Sequence, residues 1–165
     1  MLAIRATWMF DGERFANGSV TLLIDDDGRI AKVEQGLPDL PENFPVIAHP
    51  GATVLPGLID THVHLVTDSE VGALDRVAGY SDAQLDAVIT DGLRRQLAAG
   101  VTTVRDLGDR RFNVVDRRDQ QRAGRLGEPE PTILASGPPL TKPAGHCYFM
   151  GNRDHAYPNE KNVCG

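Results

Sequence analysis

The sequence is poor in cysteine. Cys147 and Cys164 are the only two among 165 residues, so no disulfide framework is implied. They do not form a C-x-x-C pair, which argues against a two-cysteine zinc site. No stretch approaches the roughly 18 consecutive apolar residues of a membrane-spanning helix, so no membrane partner is expected. The start, Met1-Leu2-Ala3-Ile4-Arg5-Ala6-Thr7-Trp8, lacks the basic head and long apolar core of a signal peptide. The cytosol is the expected, cytoplasmic location. An internal repeat is also lacking, which excludes a solenoid. So is an excess of positive charge. Lys and Arg number 17 against 23 Asp and Glu, for a net charge of −6, which argues against nucleic acid as a partner.

What is present is ordinary soluble-domain material, 41% hydrophobic and 24% charged. Residues 1–55 read as short strands and turns. Asp11-Gly12 and Asp27-Gly28 are hairpin signals, and Val20–Ile24 is expected to pair with Arg29–Val33. Gly36 to Pro50 holds four prolines and reads as a connecting loop, with Val46-Ile47-Ala48 as a brief strand and His49 as a surface residue. Asp68 to Tyr80 reads as an irregular loop or short helix. Ser81 then opens a helix with Gln84 three residues on, a capping-box pattern. Leu85, Val88, Ile89, Leu93 and Leu97 form its apolar stripe, and Gly100 stops it. Val101–Arg105 is the next strand, 112–123 a second helix, and Pro131–Ser136 a third strand. This alternation favours parallel strands joined by right-handed crossovers. Mixed runs such as Asp106-Leu107-Gly108-Asp109-Arg110-Arg111 read as solvated surface.

The chemistry concentrates at residues 53–65. An apolar run, Thr53 to Ile59, leads into Asp60-x-His62-x-His64. In an extended strand, side chains two residues apart share a face at steps of roughly 6.6 Å. The strand reads as fully buried, beginning after Pro56-Gly57. Two imidazoles at such a strand end can converge on one divalent metal. Asp60 either serves behind the metal ligands by orienting a ring, or is simply a solvated carboxylate at the strand end.

The run Val54 to His64 resembles the first barrel strand of the amidohydrolase superfamily. Gly100-Val101-Thr102-Thr103-Val104-Arg105-Asp106-Leu107-Gly108 is similar to its second strand. Ser136 to His146 is similar to the loop after its third. Together they resemble the imidazolonepropionase and prolidase-like branch. That resemblance implies an α/β fold: the first three βα units of a (β/α)8 TIM barrel over 56–150, preceded by part of a small β-sandwich over 1–55. Residues 151–165 depart from the family pattern as a divergent or truncated tail.

The resemblance further implies an enzyme, a hydrolase of carbon–nitrogen bonds. The substrate would be a small amide, cyclic amide or Xaa-Pro-type dipeptide, attacked by metal-activated water. The cofactor would be one or two divalent ions, zinc in the first instance, with His62 and His64 as ligands. His146 and Arg105 are candidates for holding the substrate, with loop and surface ion-pair roles as their alternatives. Deaminases, dihydroorotases and sugar-phosphate deacetylases share the H-x-H strand.

A (β/α)8 barrel takes about 250 residues, and only three of its strands are legible here. The family's carboxylated lysine, later histidines and final aspartate have no counterpart among Lys32, Lys142 and Lys161 or their surroundings. The sequence therefore reads as an incomplete chain, completed by a homo-oligomer or a complementing chain if at all. The competing expectation is a catalytically inactive remnant without a complete metal site.

Overall fold

The structure is a computed structural model that describes residues 1–140 and Cys147. Expectations that fall on His146, Cys164 and residues 151–165 lie outside the described residues. The chain divides into two compact units, Met1–Pro56 and Gly57–Gly165.

The first unit is a five-stranded sheet. Its strands are β1 (Leu2–Phe10), β2 (Phe15–Ala16), β3 (Val20–Ile24), β4 (Ile30–Gln35) and β5 (Val46–Val54). Strand β1 pairs antiparallel with β2 and β3 along one edge and parallel with β5 along the other. Both hairpin turns are built by aspartate. The Asp11 carboxylate accepts the backbone N–H groups of Glu13 and Arg14, and that of Asp25 accepts those of Asp27 and Arg29. These local bonds satisfy turn donors that have no ladder partner. Ala6, Val20 and Leu22 form the buried centre.

One expectation is corrected in this unit. Residues 36–45 are the connecting loop that the prolines signal, but the brief strand expected at Val46-Ile47-Ala48 runs on to Val54. Nine residues, Val46–Val54, form strand β5, and His49 sits within it. Pro50 is tolerated because the β1–β5 register shifts between Ala6 and Trp8, opposite Pro50, Gly51 and Ala52. A bulge removes the demand for a ladder donor at that point.

The second unit alternates strands and helices. Strand β6 (Leu58–Val63) is followed by α1 (Ala73–Val77), α2 (Asp82–Ala98), β7 (Val101–Asp106), α3 (Asn113–Arg122) and β8 (Thr132–Ala135). The three strands are parallel in the order β6-β7-β8. Helix α2 begins where the sequence signals it. Ser81 Oγ accepts the Gln84 N–H, and the Gln84 side chain accepts the Ser81 N–H. It buries Leu85, Ile89 and Leu93 against Val104 and Ile133 of the sheet and Val114 of α3. Gly100 follows at φ +86°, a conformation that costs glycine little. Among the described residues, no helix is long and apolar enough to cross a membrane.

Strand β6 is not the fully buried strand its apolar lead-in suggests. Leu58 is 51% exposed and Ile59 65%. The reason is topological: β6 is an edge strand whose sole ladder partner, among the described residues, is β7.

Candidate metal site

Strand β6 delivers His62 and His64 to its C-terminal end. Their ring centroids lie 5.4 Å apart with planes inclined at 70°. Two ring nitrogens at about 2.0–2.1 Å from one tetrahedral zinc place the centroids roughly 5 Å apart. The observed spacing therefore fits a shared cation. His62 is exposed and His64 half-buried. A cavity of about 410 Å³ adjoins both, bordered also by Thr67, Ser69, Arg95 and Gln96, within the size range of small-molecule sites.

His64 is held from three sides. Its Nδ1 lies 3.0 Å from the Gly108 carbonyl oxygen. Its own carbonyl accepts both the N–H (3.0 Å) and the hydroxyl (2.7 Å) of Thr67, which closes a tight turn after the strand. The next residue, Leu65, donates its N–H to Asp106 Oδ2 at 2.7 Å.

Asp106 closes strand β7 and is fully buried. Its second oxygen accepts the Gly108 N–H at 3.0 Å. Burial pushes its carboxyl up to about 6, against the pull of the two N–H bonds from Leu65 and Gly108. Its backbone oxygen also accepts the Ser136 N–H. The loops after β6, β7 and β8 thus meet at this one residue.

Among the described residues, Asp60 makes no hydrogen bond to either imidazole. One carboxylate oxygen accepts the His62 backbone N–H at 3.1 Å and the other the Gln96 amide of α2 at 3.3 Å. A register shift falls between Asp60 and Val63, so a strict two-residue period does not carry across the motif. Arg105 is exposed and donates from Nε to the Thr61 carbonyl at 2.8 Å.

The reading of residues 106–111 as solvated surface is corrected. Asp106, Asp109 and Arg110 are 0%, 0% and 2% exposed. Their polar groups are buried because the backbone needs them there. Asp109 accepts the N–H groups of Phe112, Val114 and Val115 and so caps α3, while burial raises its pKa. Arg110 donates to the Val77 and Tyr80 carbonyls and ties the end of α1 to the start of α2. Asp68 performs the same service in the loop after His64. It accepts from Arg76 and Tyr80, and the guanidinium holds its carboxyl well below the usual range.

Asp106 and Gly108 are the residues whose roles sequence reasoning missed. The available signal was a carboxylate at the C-terminal end of a β-branched strand, the end where barrel-type sheets place chemistry.

The sequence profile of the amidohydrolase family matches residues 53–163, and the chain belongs to that family. It is similar to the crystal structure of a Xaa-Pro dipeptidase with methionine bound in its active site. Identity there is 26% over 88% of this chain and 35% of the other, with a TM-score of 0.72. A Bifidobacterium longum protein assigned as a prolidase is 31% identical over 88% of this chain and 32% of its own, with a TM-score of 0.64. A prolidase complexed with N-methylphosphonate-L-proline is 27% identical over 87% and 34%, with a TM-score of 0.63. The chain spans about a third of the length of these solved structures. No curated protein matches it.

Proposed function

We propose that this chain supplies the first three βα units of a (β/α)8 barrel, preceded by part of a β-sandwich, in a metal-dependent hydrolase of carbon–nitrogen bonds. The substrate is a small amide, cyclic amide or Xaa-Pro dipeptide. The observation that carries this is the imidazole pair at the end of β6, whose 5.4 Å centroid spacing is compatible with one shared cation. The similarity to a Xaa-Pro dipeptidase and to a prolidase supports the choice of substrate.

In this reading His62 and His64 hold a divalent metal, zinc by the preference of imidazole donors. Such a metal lowers the pKa of its water toward 7 and polarises the scissile carbonyl. Asp60 works one step back, fixing the His62 backbone and Gln96. Arg105 retains exposed N–H donors beyond the one given to Thr61 and is assigned to a substrate carboxylate. His146 is assigned to the same end of the substrate on its sequence position alone.

Catalytic zinc sites use three protein ligands. Among the described residues, no third His, Cys, Asp or Glu joins the pair. That observation favours a second reading, a catalytically inactive chain without a complete metal site. Zinc titration with elemental analysis, run beside an assay on Xaa-Pro dipeptides, separates the two. Stoichiometric zinc that disappears in His62→Ala and His64→Ala, with turnover abolished by chelation, supports the hydrolase. Equal zinc in the wild type and both variants, or no zinc and no turnover, rejects it.

A further inference from the structure

Asp106 is a buried carboxylate whose two oxygens do different work. Oδ2 takes the N–H of Leu65, the residue directly after His64. Oδ1 takes the N–H of Gly108, whose own carbonyl meets His64 Nδ1. One side chain therefore fixes both the backbone leaving the histidine and the turn against which its ring rests. The contact with that turn is close. A β-carbon at position 108 would lie 3.2 Å from His64 Cε1 and Nδ1, and 3.1 Å from Pro139 Cγ.

We propose that the Asp106–Gly108 turn is a bracket that sets the ring position and tautomer of His64, with Asp106 as a positioning residue. A carbonyl oxygen only accepts, so the bond to Gly108 places the proton on Nδ1. The lone pair then lies on Nε2, the nitrogen left to bind a cation. Asp106 acts on this choice through the backbone and not by touching the ring. A carboxylate present only to satisfy buried N–H groups would leave the tautomer unchanged when removed. The purpose of the bracket rests on His64 being a metal ligand, but its existence does not.

The test uses the full chain with nitrogen-15-labelled histidine, without metal, at a pH above the imidazole range. Long-range proton–nitrogen correlation spectra distinguish the two neutral tautomers, and His64→Gln assigns the signal. The wild type is expected to show His64 protonated at Nδ1. Asp106→Ala is expected to lose that pattern in favour of a mixture while circular dichroism stays native-like. Asp106→Asn keeps one acceptor oxygen and is expected to recover part of the pattern. Gly108→Ala keeps the carboxylate but crowds the ring, and is expected to lose the pattern too. If Asp106→Ala does not fold, Gly108→Ala decides. A wild-type His64 protonated at Nε2, or a wild-type pattern in folded Asp106→Ala or Gly108→Ala, overturns the bracket. A chain that retains no zinc counts against the hydrolase reading and leaves the tautomer result standing.

Discussion

Gly57 and Thr102 approach so closely that a β-carbon on Gly57 would lie 2.1 Å from Thr102 Oγ1 and 2.3 Å from Cγ2. This contact fixes where β6 starts beside β7, since the Leu58 N–H bonds to the Gly100 carbonyl one residue further on. Gly57→Ala is therefore expected to cost about 1–3 kcal/mol, the range for overpacking a tight site. Thr102→Gly in the same chain should return part of it. Denaturant midpoints measure both, and an unchanged midpoint for Gly57→Ala would show that the approach is not real.

His62 is exposed at the strand end, so its replacement has little packing to remove. His62→Ala should alter folding stability by no more than about 0.5 kcal/mol while weakening zinc retention about 10-fold or more. Thermal melting and equilibrium dialysis on one preparation check the split. A variant that loses stability and metal together would recast His62 as a structural residue.

Asp106 gives a pH signature of definite sign. Its folded pKa of about 6 lies above the ordinary carboxylate value. The native state thus binds the proton more tightly than the unfolded chain. The stabilisation is complete below about pH 4 and is lost as pH rises through 6, to a total on the order of 3 kcal/mol. Other carboxylates, such as that of Asp68, shift the opposite way, so the difference from Asp106→Asn is the informative quantity. The variant's stability relative to wild type should improve from pH 4 to pH 7. A pH-independent difference would falsify the buried-carboxylate assignment.

Two variants of α2 separate its local start from its packing. Ser81→Ala removes one half of the capping box and is expected to cost about 1 kcal/mol. Leu93→Ala empties a fully buried site and is expected to cost about 2–5 kcal/mol. Chemical denaturation ranks them. The reverse order would mean that the helix is held by its end and not by its buried face.

The regular elements were legible because their signals are local. The capping box at Ser81, the αL glycine at 100, the β-branched run before Arg105 and the Asp-Gly turns at 11–12 and 27–28 each act within a few residues. The proximity of the His62 and His64 rings was legible for the same reason. What escaped depends on contacts made across the fold. The length of β5 follows from its pairing with β1, which no feature of Val46–Val54 announces. The exposure of β6 follows from its place at a sheet edge. Asp106, Asp109 and Arg110 look like solvent-facing charges until the loops that need their oxygens and guanidinium are in place. The orientation of Asp60 toward Gln96 required knowing where the β6–β7 register slips.

Strand β7 lies between β6 and β8, and its last residue gathers the backbone of all three following loops. Load-carrying and ring-aiming duties therefore coincide in six consecutive residues. Substitutions at Asp106, where the strand meets the histidine loop, are expected to show as a misaimed imidazole. Screens that score only folding would pass such variants, and engineering at Val101–Asp106 calls for a chemical readout from the outset.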